Sequence, residues 1–134
     1  MTTRVLVVAN RTADSEELFQ ALKARAEKTK LKVMLLVPQD THGGQGRRLN
    51  AALERLHSSG IEAEGMLGDT DPAIAVQEAW DPREFDEIYV ATLPVGTSRW
   101  LGFDLPQRIA KMTDACVHHI EATEAHEVAP LRVG

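Results

Sequence analysis

One cysteine, Cys116, stands in a chain of 134 residues, so no disulfide can form within it and no sign of an oxidising compartment is present. Long apolar runs are missing as well. Val5-Leu6-Val7-Val8-Ala9 is too short for a signal-peptide core and far too short to span a membrane, and no other run approaches that length. No membrane partner is expected, and a cytoplasmic protein is the default. An excess of basic residues is also lacking. Lys and Arg number 15 against 20 Asp and Glu, a net charge of −5. That argues against nucleic acid as a partner of a general basic surface, because phosphate neutralisation needs clustered cations. There is no internal repeat and no low-complexity segment. What is present, 43% apolar and 26% charged residues, suits one soluble globular domain, and the length is too small for two.

The apolar segments alternate with helical ones. Val5 to Ala9 is continuous rather than alternating, as in a parallel strand buried on both faces, and Asn10-Arg11-Thr12 ends it. Asp14 and Ser15 offer helix N-caps, Glu16 and Glu17 favour a first turn, and Leu18, Leu22 and Ala26 recur at helical spacing. Val33 to Val37 reads as a second strand stopped by Pro38. Gln39 to Gly46 carries three glycines and reads as a mobile loop. Leu49, Ala52, Leu53 and Leu56 mark a second helix, with Gly60 in its C-cap region. Ile61, Ala63, Gly65 and Leu67 alternate with Glu62, Glu64 and Met66, the pattern of a half-exposed edge strand. Asp71-Pro72 is an N-cap followed by proline at the first helical position, opening a helix through Ile74 and Val76 to Trp80. Ile88 to Leu93 is the fourth strand, Leu105 to Thr113 the fourth helix and Cys116 to Ile120 the fifth strand.

Strictly alternating strands and helices demand a three-layer α/β domain, an open parallel sheet with helices on both faces, over residues 1–122. Residues 123–134 form a tail. The expected strand order is 3-2-1-4-5, with the reversal between strands one and four. Ligands in such sheets bind beyond the carboxyl ends of the strands at that reversal. The expected crevice is therefore lined by Asn10, Arg11 and Thr12, by Val37 and Pro38, and by Thr92, Leu93 and Pro94. The turn Gly96-Thr97-Ser98-Arg99 adds two hydroxyls and one positive charge beside it.

Several residues invite sharper readings. Arg99 is an anion ligand, a solvated turn residue or a partner for Asp104. Trp100 and Phe103 either stack on a base or, as favoured, pack by plugging the end of the sheet or joining a dimer contact. His118 and His119 are adjacent on a strand, point to opposite faces and cannot chelate one ion together, so no metal site is expected. His42, His57 and His126 are scattered surface residues, and Cys116 is expected to be a buried, inert thiol. Gly43-Gly44-Gln45-Gly46-Arg47 lacks the lysine and hydroxyl of a phosphate loop and follows the second strand instead of the first. Asn10-Arg11-Thr12 lacks the glycines of a dinucleotide fingerprint. A phosphotransfer receiver needs an acidic pair after strand one and a lysine after strand five; Asp69 and Thr92 alone do not supply them. Thr12 alone does not make a flavin loop. No catalytic set is assigned, and an enzyme is not expected.

The five-strand pattern, with Asp71-Pro72-Ala73-Ile74 opening the third helix and Phe85-Asp86-Glu87-Ile88-Tyr89-Val90-Ala91-Thr92-Leu93-Pro94 running through the fourth strand, resembles the universal stress protein family from Arg4 to about Glu121. The resemblance implies a small α/β domain, commonly a homodimer paired through its fifth strand, some of whose members bind ATP. ATP-binding members carry Gly, two residues, Gly, nine residues, then Gly with Ser or Thr. In this chain those positions fall on Val90, Leu93 and Phe103-Asp104. The ATP binders also carry an Asp at the end of strand one for the adenosine end of the ligand, where this chain has Asn10. Glycine lets backbone approach phosphates closely, which Leu93 and Phe103 would block. Asp104 beside phosphates would cost on the order of 1 kcal/mol. The expectation is a non-enzymatic stress-response or signalling module in which ATP or AMP is a disfavoured cofactor, with a small anion near Arg99 still possible. The competing reading is a nucleotide-binding switch of the same fold.

Overall fold

The computed structural model describes residues 2–39, 43–93 and 105–122. Nine elements alternate along the chain: β1 (Thr2–Val8), α1 (Glu16–Lys28), β2 (Lys30–Pro38), α2 (Gln45–Ser58), β3 (Glu62–Gly68), α3 (Pro72–Ala79), β4 (Glu87–Thr92), α4 (Leu105–Thr113) and β5 (Cys116–Glu121). The five strands form one parallel sheet in the order β3-β2-β1-β4-β5, as the sequence pattern requires. The reversal lies between β1 and β4, with Val5 opposite Glu87 and Val8 opposite Val90.

Burial explains the unbroken apolar runs. Successive side chains of β1 enter different layers. Val5, Val7 and Ala9 pack with Leu18 and Leu22 of α1 and with Leu49, Ala52 and Leu56 of α2. Leu6 and Val8 pack with Val76 of α3 and Ile109 of α4. A central strand covered on both faces has no polar side to alternate with. All of Val5 to Ala9 is solvent-inaccessible.

Local chemistry sets the helix ends. Ser15 caps α1, its hydroxyl accepting from the Leu18 N–H at 3.2 Å. Asp71 caps α3, accepting from Ala73 and Ile74, with Pro72 at the first position. Gly60 turns the chain out of α2 with φ of 80°. Helix α2 begins at Gln45, so the glycine-rich segment is shorter as a loop than its composition suggests. Asp40, Thr41 and His42 within it lie outside the described residues.

Three side chains depart from expectation. Cys116 is exposed, because it opens β5 and no described strand lies beyond that edge of the sheet. Leu67 is 45% exposed despite its place in the alternation of β3, and Ile74 is 42% exposed. The short α3 buries Ala73, Ala75 and Val76 instead, which leaves Ile74 pointing outward. Among the described residues no helix is long and apolar enough to cross a membrane.

Candidate functional site

The carboxyl ends of β1, β2 and β4 converge at the strand-order reversal. Backbone bonds prolong the sheet there: Ala9 donates to the Leu36 carbonyl at 3.1 Å, and Gln39 to that of Gly68 at 3.2 Å. After β1 the chain folds into tight turns, with Ala13 N–H donating to Asn10 O and Ser15 N–H to Thr12 O. These turns draw Asn10 and Thr12 inward. Asn10 is 7% exposed and Thr12 2%, while Arg11 between them is exposed. A turn of this kind cannot bury three consecutive side chains, and the charged one faces water.

Both buried residues are bonded. Thr12 Oγ1 donates to the Ala91 carbonyl at 3.0 Å, which joins the exit of β1 to β4. Asn10 Nδ2 donates to the Pro38 carbonyl at 2.8 Å, which joins it to the exit of β2. Asn10 Oδ1 accepts from Arg48 Nη2 at 2.9 Å. Both ends of the Asn10 amide are thus engaged within the protein. Thr92 is also buried, with Oγ1 2.7 Å from His119 Nε2. Val37 lines nothing with its side chain, which is fully enclosed in the core beneath α1 and α2. Leu93 is half-buried at the end of the described strand. Gly96, Thr97, Ser98, Arg99, Trp100, Phe103 and Asp104 lie outside the described residues.

The structure therefore places Asn10, Thr12 and Thr92, all buried, at the carboxyl ends of β1 and β4. It also adds a residue that the sequence reading missed. Arg48 lies near the start of α2, 38 positions from Asn10, and its guanidinium reaches across to β1. Nη2 also approaches the Gly43 carbonyl at 3.5 Å, and Nε is buried with no hydrogen-bond partner. The guanidinium packs so closely on the turn that a Cβ added at Gly44 would meet Nη1 at 3.1 Å. A clue was available: Arg48 sits four residues after Gly44, in a helix that begins at the carboxyl end of β2.

His118 and His119 face opposite sides of β5, as their adjacency requires. The His118 ring stacks on Tyr89 at 4.5 Å, and His119 meets Thr92. Among the described residues no group of three or more His, Cys, Asp or Glu is placed to hold a metal ion.

No protein-family model matches the chain, and no curated protein matches it significantly. Solved structures do match. A universal stress protein from Archaeoglobus fulgidus DSM 4304 superposes with a TM-score of 0.69 at 14% identity, over 90% of this chain and 44% of that one. One from Arabidopsis thaliana with AMP bound gives 0.63 at 19% identity, over 90% and 92%. A universal stress protein in complex with cAMP gives 0.61 at 20% identity, over 90% and 98%. The chain has the universal stress protein fold.

Proposed function

We propose that this chain is a member of the universal stress protein family that acts as a non-enzymatic stress-response or signalling module, and that its crevice does not hold ATP strongly. The observation that carries the reading is the state of Asn10. The resemblance assigns that position to the adenosine end of the ligand, yet its Nδ2 is spent on Pro38 O and its Oδ1 on Arg48. A ribose hydroxyl would have to displace a charge-assisted hydrogen bond to gain the same acceptor. The substitution of glycine by Val90, Leu93 and Phe103 in the phosphate-binding pattern points the same way. A non-enzymatic role fits buried residues whose hydroxyls and amide serve to tie strand ends together. We further propose that the protein is a homodimer paired through β5. That strand hydrogen-bonds to β4 on one side and, among the described residues, ends the sheet on the other, so its outer main-chain groups are the ones a second copy would pair with.

Calorimetric titration with ATP tests the ligand reading: no saturable heat is expected, and tight binding would refute it. Sedimentation over a concentration series tests the dimer, and a monomer throughout would refute that part. A second reading, a nucleotide-binding switch, draws support from the structural relatives crystallised with cAMP, AMP and dAMP. Titration with AMP separates it from the first, since a switch requires saturable binding of that smaller nucleotide.

A further inference from the structure

We propose that Arg48 makes the β1–β2 end of the crevice a binding site for a phosphate-type oxyanion; this rests on reading the crevice as the ligand site of a universal stress protein module. Among the described residues the positive charge there has no carboxylate partner. Arg48 Nη2 meets two oxygens, Asn10 Oδ1 at 2.9 Å and Gly43 O at 3.5 Å, and both are neutral. A guanidinium keeps its charge at any pH a protein meets, so the imbalance is permanent.

One donor on the same group is also unmet. Nε is buried and has no acceptor among the described residues. By covalent geometry, Nε–H and one N–H of Nη2 form one edge of the guanidinium, the edge that accepts two oxygens of a carboxylate or phosphate side by side. Asn10 presents a single amide oxygen to that group. An oxyanion presents several, and can satisfy Nε while it balances the charge.

The surrounding backbone adds to the same field. Gly44, in the left-handed conformation at φ 84°, is the N-cap of the 14-residue α2, with no side-chain capping bond and no acidic residue in the first turn. The positive end of the helix dipole thus meets no acidic side chain of its own first turn, and it lies beside the guanidinium that packs on Gly44. A carboxylate at position 10 would have quenched this charge internally. Asn10 orients Arg48 and leaves the charge for a ligand.

The test follows the Arg48 Nε–H resonance by proton–nitrogen correlation NMR, assigned by its loss in R48Q and R48K. Inorganic phosphate is expected to move it saturably, and adenosine, which carries no anion, to leave it in place. Phosphate is also expected to raise the melting temperature of the wild type and not that of R48Q, with R48K responding weakly. AMP acting at lower concentration than phosphate would identify a nucleotide as the source of the oxyanion, and equal action would identify free phosphate; either result sustains the site. A resonance unmoved by phosphate overturns it, as does a phosphate response that persists unchanged in R48Q. Strong ATP binding that survives in R48Q, with phosphate still moving the wild-type resonance, would contradict the ATP-poor reading and leave the oxyanion site standing.

Discussion

Thr12 donates its hydroxyl to the carbonyl of Ala91 at 3.0 Å, a bond between the turn after β1 and the last residues of β4. It spans the point at which strand order reverses, so it ties the exits of β1 and β4 together. Both groups are buried, which makes its loss costly. Thr12→Val keeps the shape and removes the donor. It is expected to lower unfolding free energy by about 1–2 kcal/mol, while Thr12→Ser loses less. Urea denaturation with an unchanged slope checks this, and a wild-type midpoint for Thr12→Val would contradict it.

Helix α3 is only eight residues long and draws much of its order from its cap. Asp71 Oδ1 accepts from Ala73 N–H at 2.9 Å and Ile74 N–H at 3.4 Å. Asp71→Ala should cost about 1 kcal/mol, and Asp71→Asn, which can still accept, should cost little. Thermal melts of the pair give the comparison.

Glycines in the two layers should respond with opposite signs. A Cβ on Gly68 would meet Leu36 Cδ1 at 2.8 Å and Ala75 Cβ at 2.9 Å, where β3 packs on α3. Gly68→Ala is expected to destabilise by about 1–3 kcal/mol through overpacking. Gly46, in the first turn of α2, has open space around its would-be Cβ and no positive φ. Gly46→Ala should stabilise by about 0.5–1 kcal/mol, because alanine costs less to order in a helix. Equal effects from the two would contradict the packing described.

Acid should weaken the fold at both ends of the sheet, at Asp86 and Asp81 opposite the crevice and at Glu16 in the first turn of α1. The Arg4 guanidinium and Arg4 N–H hold the Asp86 carboxyl below the usual aspartate range, and the backbone and side chain of Arg83 do the same for Asp81. Hydrogen bonds from Gln20 and Arg55 lower Glu16. A carboxylate with a depressed folded pKa contributes stability that is complete above its unfolded pKa and is lost as pH falls through the folded value. Melting temperature should therefore fall as pH drops below about 4, near the reference values of Asp and Glu. Asp86→Asn should flatten part of that slope. At the alkaline limit the sign reverses for Tyr89. Burial raises its phenol above the usual value, so its contribution holds below about 10 and declines above. Tyr89→Phe should remove that decline.

The sheet was legible because its chemistry is local and repetitive. Val5 to Ala9 and Val33 to Val37 are apolar on every residue, which only burial on both faces explains. Asp71-Pro72 announces its helix within two positions. The strand order and the placement of Asn10 and Thr12 at the reversal followed from that alternation. Departures arose where neighbours decide. Cys116 is apolar enough for a core, but it opens the strand that ends the described sheet. Ile74 has the composition of a core residue, and a helix of eight residues presents too narrow a face to bury it. Arg48 was not found because its importance depends on a bond to Asn10 across 38 positions. Its sequence neighbours, glycines before and a leucine face after, describe only an ordinary helix start.

The measurement that bears most directly on the proposed function is an electron-density map of crystals soaked in ATP, read at Asn10. The expected map keeps Asn10 Oδ1 on Arg48 and Nδ2 on Pro38 O, with no nucleotide in the crevice. Density for a ribose bonded to Asn10, with Arg48 swung aside and a triphosphate laid along the loop after β4, would contradict it.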